Sequence, residues 1–222
     1  EPAPAPRPLD QRDYEGDVQQ QTGFAALKTI DELRLLVCPD LMAGFDGSQD
    51  AKDRVKAIQT KMIGFCEETK RCFAILDTPP GLSAQAAIEW RNWLGFDTSY
   101  AALYYPWVEV ANLGSGALLK KRVPPSGIMA GVYNRTDFDR GVHKAPANET
   151  LRGVIGVERQ LSRQEQDQLN PIGVNCIRAF PTQGIRAWGA RTLSRSNTAW
   201  IYISVRRLFI YVSASLEEGL QW

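Results

Sequence analysis

RGVHKAPANETLRGV (residues 140–154) and LNPIGVNCIRAFPTQGIRAWGARTL (residues 169–193) are the segments whose reading decides the fold. Glycine or proline recurs every few residues, at Gly141, Pro146, Gly153, Gly156, Pro171, Gly173, Pro181, Gly184 and Gly189. Between them stand the apolar runs VIGV (154–157), VNCIRAF (174–180) and IRAWGA (185–190). Short apolar runs punctuated by turn formers predict strands joined by tight turns. Residues 174–180 and 185–190 predict a hairpin across Pro181, Thr182, Gln183 and Gly184. The chain's single histidine, His143, falls in this stretch beside Lys144 and Pro146, where a loop role suits it better than that of a catalytic base. No metal-ligand spacing, phosphate loop or nucleophile elbow occurs here.

Working outward, 222 residues with 44% hydrophobic content suffice for one large core or two small ones. A formal charge of +1 provides no general field for nucleic acid or an anionic membrane. No apolar run approaches the roughly 18 residues a membrane span needs, and the first residues carry no charged-then-apolar signal pattern. Cys38, Cys66, Cys72 and Cys176 each lie in or beside apolar runs and read as buried, reduced thiols of a cytosolic protein. Cys66 and Cys72 are too far apart for a CxxC motif, and a zinc site lacks partners.

The first 22 residues read as a Pro/Ala-rich linker or arm remnant, with EPAPAPRP unable to make ladder hydrogen bonds. Residues 23–30 predict a short helix, 33–38 (LRLLVC) a strand buried on both faces, and 51–68 an amphipathic helix on Val55, Ile58, Met62 and Cys66. Residues 72–76 (CFAIL) and 100–107 (YAALYYPW) predict two more strands, separated by a helix that Ser83 begins. Strand–helix–strand–helix–strand predicts a parallel sheet with right-handed crossovers. Residues 112–122 read as a loop holding Gly114, Ser115 and Gly116, too short a motif for a phosphate cradle, and the basic run Lys120, Lys121, Arg122. A helix over 125–140 ends at Gly141. A strand covers 153–158, and Ser162 with Glu165 forms a capping box for a helix over 162–169. Residues 199–216 are β-branched, yet Ile201, Val205, Leu208, Phe209, Val212 and Leu216 recur at helical spacing, with Arg206 and Arg207 off that stripe. The fold class is therefore α/β. A mixed sheet core is flanked by helices, with a three-strand N-terminal half and a Gly/Pro-rich strand, hairpin and helix C-terminal half.

The blocks GVHKAPAN (141–148), LNPIGVN (169–175), WGARTL (188–193) and VRRLF (205–209), with Gln221 and Trp222 after them, together resemble the tail sheath protein of contractile phage tails. The resemblance is strongest to sheaths of extracellular contractile injection systems and spans residues 23–222. It implies a non-enzymatic structural subunit that polymerises helically around an inner tube and contracts to drive that tube through a target envelope. It also implies β-augmentation between copies, assembly in the bacterial cytoplasm, no cofactor, no nucleic acid and no membrane insertion. Expected partners are other copies, the inner tube protein, the baseplate and terminator or cap proteins. Family sequences continue past the Gln-Trp pair with more strand and helix, so this core is expected to be truncated there and not to polymerise alone. Arg206, Arg207, Lys120, Lys121 and Arg122 are candidate contacts to the tube or a neighbouring subunit. The rival class is a small-molecule α/β enzyme with a site near Asp40 and Asp77, since a carboxylate ending a strand is where open α/β sheets hold ligands.

Overall fold

The computed structural model describes residues 11–112 and 119–220. The runs at 1–8 and 114–116 and the terminal Gln221 and Trp222 lie outside the described residues. In chain order the helices are α1 (Gln11–Glu15), α2 (Gly23–Leu27), α3 (Gln49–Thr69), α4 (Ala84–Leu94), α5 (Ser126–Arg140), α6 (Arg163–Leu169) and α7 (Ile203–Gly219). The strands are β1 (Leu35–Val37), β2 (Phe73–Asp77), β3 (Ala101–Tyr105), β4 (Val108–Asn112), β5 (Leu119–Val123), β6 (Glu149–Thr150), β7 (Val154–Val157), β8 (Val174–Phe180) and β9 (Gly184–Trp188).

Among the described residues, six strands form one sheet in the order β1-β2-β3-β8-β9-β6. Pairing is parallel from β1 through β8 and antiparallel beyond it. Every residue of β2 and β3 is buried, as expected of central strands covered on both faces. Alternation sends Ala74, Leu76, Ala101 and Leu103 to one face, where α3 and α4 supply Val55, Ile58, Met62, Ala87 and Leu94. Phe73, Ile75, Ala102 and Tyr104 go to the other, against Met129, Val132 and Tyr133 of α5 and Ile203 and Ile210 of α7. Helices α3 and α4 are consecutive crossovers on one face, the arrangement right-handed β-α-β connections require.

Helix signals in the sequence match the structure closely. The Ser83 hydroxyl accepts from Ala86 N at 3.1 Å. Ser162 and Glu165 complete the reciprocal capping box, and Gly141 follows α5 at a φ of 87°. Of the residues read as a loop over 112–122, Asn112 and 119–122 instead belong to a second, three-stranded sheet in the order β5-β4-β7. Glu109 pairs with Arg122 and Val110 with Lys121 across β4 and β5. Cations on both faces of β5 erase the apolar/polar alternation from which a strand is read. The blocks at 169–175 and 188–193 serve architecture. Asn175 donates to the Arg191 carbonyl and accepts from the Arg191 N–H, both at 2.8 Å. A Cβ on Gly189 would stand 2.9 Å from the Asn175 Oδ1, so only glycine admits that close approach.

Candidate functional site

Helix α7 carries two stripes of identical spacing. Ile203, Arg206, Arg207, Ile210 and Ala214 are buried. Val205, Leu208, Phe209, Val212 and Leu216 run at the same i, i+3, i+4, i+7, i+11 spacing and are 39–57% exposed. The stripes are offset by two residues, about 200° around the helix, so they occupy nearly opposite faces. The helix expected at 199–216 is present, but its apolar stripe points to solvent and its arginines point into the fold. Tyr202, Tyr211 and Leu220 extend the exposed apolar surface at 49%, 52% and 72% exposure. On α5, Phe138 is 91% exposed.

Both arginines are satisfied within the chain. The Arg207 guanidinium donates from Nη1 and Nη2 to the two carboxylate oxygens of Asp137 on α5, at 2.8 and 2.5 Å. It also lies over the Tyr133 ring at 4.8 Å. Fork-to-carboxylate geometry of this kind is the strong form of the pair. Among the described residues, Arg206 has no carboxylate partner. Its guanidinium sits 3.7 Å from the Trp200 ring and 4.4 Å from the Tyr100 ring, and donates to Ser99 Oγ at 2.8 Å. Burial depresses its pKa, while the aromatic faces and the hydroxyl replace part of its hydration. Arg206 and Arg207 thus position α7, and their guanidinium groups are turned away from any partner on its outer face.

Lys120, Lys121 and Arg122 lie exposed on β5, an edge strand. Lys120 Nζ is 3.0 Å from Glu109 Oε2, and Arg122 reaches Glu158 at 3.5 Å. Glu109 leans across Gly156 of β7, where a Cβ would stand 2.3 Å from its Oε2. The run is therefore largely neutralised by its own sheet. Lys121 points to the opposite face of β5 and meets no carboxylate among the described residues. Lysines on an edge strand also discourage indiscriminate strand pairing.

Asp40 is exposed in the turn after β1, whereas Asp77 is 3% exposed at the end of β2. The Asp77 oxygens accept from the Ser126 N–H at 2.8 Å and the Ser126 hydroxyl at 2.5 Å. Asp77 therefore caps α5, whose own N-cap residue is Pro125 and offers no side-chain acceptor. Burial pushes its pKa up to about 7 against those two donors. Both oxygens of this buried carboxylate are thus engaged by the first turn of α5. His143 is exposed in the turn after α5. The blocks at 141–148, 169–175 and 188–193 converge on an open cleft of about 350 Å³ that includes Asn148, Asn170, Trp188 and Arg191. The outward stripe of α7 is the feature missed at the level of sequence. Its signal was a second stripe of equal spacing containing two arginines, whose partners Asp137 and Tyr100 are remote in sequence.

A profile of the phage tail sheath protein central domain matches residues 23–193. Over 195 residues the chain is 28% identical to a putative prophage major tail sheath protein of Pseudomonas aeruginosa (strain UCBPP-PA14), covering 85% of this chain and 45% of that protein. It superimposes at a TM-score of 0.67 and 32% identity on the contracted PVC sheath complex of an extracellular contractile injection system, covering 90% of this chain and 53% of that one. A chain of the anti-feeding prophage baseplate matches at a TM-score of 0.63 and 34% identity, over 77% and 43%. The chain thus spans about half the length of these relatives. By sequence and by fold alike, it belongs to the phage tail sheath protein family.

Proposed function

We propose that this chain is a structural unit of a contractile sheath. Copies pack helically around an inner tube in the bacterial cytoplasm and shift their packing to drive the tube through a target envelope. The work is mechanical, and no reaction is assigned to a pocket. The observation that carries this reading is the outward apolar stripe of α7. A contiguous row of Val205, Leu208, Phe209, Val212 and Leu216 is costly to leave in water and marks a surface built to be covered.

Relatives found in sheath and baseplate assemblies support packing against other copies and against a baseplate. An inner tube protein and a terminator or cap complete the expected partners. The outer strands of the two sheets, β1 and β6 in one and β5 and β7 in the other, are where added strands from neighbours would continue the ladders. Lys120, Lys121 and Arg122 supply a weak, salt-sensitive contact to a tube or a neighbouring subunit, suited to release on contraction. Arg206 and Arg207 contribute by aiming α7.

The test is negative-stain microscopy of the full-length protein co-produced with its tube, beside a Leu208→Asp/Phe209→Asp variant. Wild-type sheaths and a folded variant that fails to assemble are expected. A variant that assembles like wild type would remove α7 from the contact, and a globular wild-type monomer would overturn the sheath reading.

A further inference from the structure

The four cysteines do not share one environment. Cys66 and Cys72, six residues apart and unremarkable by spacing, have sulfurs 3.1 Å apart. Helix α3 ends at Thr69, Lys70 turns the backbone through a left-handed φ of 55°, and the chain doubles back into β2. That reversal brings Cys72 beneath the last turn of α3, where Cys66 sits. A disulfide bond is about 2.05 Å long, so roughly 1 Å of sulfur movement separates the two thiols from a bond. Both are buried, at 0% and 1% exposure, and both are free.

The pair is also asymmetric. Cys72 forms part of the wall of a cleft of about 330 Å³ that is bordered by Lys28, Lys70 and Arg71 and by the carboxylates Asp31, Glu68 and Glu217. Cys66 lies behind it. The hydrogen bond from Cys66 lowers the Cys72 pKa, helped by Thr69 and by the charge of Arg34. Burial, with the same hydrogen bond, raises that of Cys66. A cleft-side sulfur with a lowered pKa and a thiol behind it with a raised one is the arrangement of an attacking and a resolving cysteine.

We propose that Cys66 and Cys72 form a site of reversible oxidation, in which a small hydroperoxide entering the cleft converts the two thiols to an intramolecular disulfide. The Cys72 thiolate attacks one peroxide oxygen, the O–O bond breaks, and Cys72 becomes a sulfenic acid with release of hydroxide. Cys66 sulfur then displaces that oxygen, which leaves as water with the Cys66 proton, and the hydroxide takes up the proton that Cys72 released on ionising to make the second water. Two thiols lose two electrons and the peroxide gains them. The product ties the C-terminal turn of α3 to the start of β2. This inference is independent of the sheath reading.

The test is treatment of the reduced, folded full-length protein with hydrogen peroxide, followed by alkylation and peptide mapping. Free thiols should fall from four to two, intact mass should fall by about 2 Da, and the linked peptides should contain Cys66 and Cys72. A thiol reductant should restore all four. In a Cys66→Ser variant, dimedone should trap a sulfenic acid at Cys72. Selective loss of Cys38 or Cys176 would overturn the proposal. So would four surviving thiols where a free cysteine peptide is oxidised, or a bond seen only in denaturant. Because the wild-type map decides the question, a variant that fails to fold does not obscure it.

Discussion

Helices α3 and α7 lie on opposite faces of the same sheet and obey opposite rules. Helix α3 buries Val55, Ile58, Met62 and Cys66 and turns Asp53, Thr60, Lys61 and Glu67 toward solvent. Helix α7 buries Arg206 and Arg207 between Ile203 and Ile210 and shows Val205, Leu208, Phe209 and Val212 to solvent. Both contain an apolar stripe at helical period, so period alone does not say which way a stripe faces. The difference separates a helix that completes the core of one chain from a helix whose apolar face is left for another molecule.

The largest effects follow from exchanging the two stripes. Ile58 is fully buried in α3. Ile58→Ala should cost about 2–5 kcal/mol, lowering Tm by roughly 10 °C in a chain of this size. Leu208→Ala on α7 should stay within about 0.5 kcal/mol in the isolated chain and act on assembly instead. Thermal melts of the two variants beside sedimentation velocity provide the check. Equal destabilisation by both would mean that the α7 stripe is covered within the chain.

The inward arginines come next. Arg207→Ala would leave the Asp137 carboxylate, part-buried beside α7, without its fork partner. A loss of about 3 kcal/mol is expected in urea unfolding. Arg207→Met combined with Asp137→Leu should recover most of it, since a buried pair is worth little beyond an apolar replacement of similar volume. Failure of the double variant to recover would show that the pair has a role besides mutual compensation.

The next effect depends on pH and belongs to the α3 side. The Asp77 backbone carbonyl accepts from Gln59 of α3 at 2.9 Å, while its side chain caps α5. Its pKa of about 7 in the fold lies above the ordinary 3.8, so the folded protein holds a proton that the unfolded chain has released. Unfolding free energy should therefore fall as pH rises from about 4 to about 7, and level off above that. Asp77→Asn keeps an acceptor for the Ser126 N–H and should flatten this slope. An unchanged slope would assign the titration to other groups.

What was legible in the sequence divides along the same line. The apolar runs of β2 and β3, the Ser83 cap and the Ser162–Glu165 box are local signals, and local chemistry determined them. The β4–β5 pairing was not legible, because Lys120, Lys121 and Arg122 break the alternation and the partners Glu109 and Glu158 come from β4 and from just past β7. Asp77 read as a strand-end ligand in the rival enzyme class. The structure makes it the cap of α5, a partner 49 residues away. The stripe of α7 was legible as a stripe, but its direction depends on Tyr100, Asp137 and Trp200, which no window around Arg206 contains.

The smallest effect on the isolated chain, and the sharpest on the comparison, concerns the basic edge strand. Lys120 and Arg122 are neutralised by Glu109 and Glu158, whereas Lys121 on the other face of β5 meets no carboxylate among the described residues. Charge reversal at Lys121 should change stability by less than about 0.5 kcal/mol, because an exposed lysine without a partner contributes little to one chain. If β5 meets an acidic neighbour, Lys121→Glu should weaken assembly strongly at low salt and only slightly near 1 M, where the screening length falls to about 3 Å. Removing the apolar face with Leu208→Asp should weaken assembly at every salt concentration, since apolar contact is not screened. Assembly of both variants followed by light scattering across a salt series separates an electrostatic contact on β5 from an apolar one on α7. Identical salt profiles would mean that only one of the two surfaces is engaged.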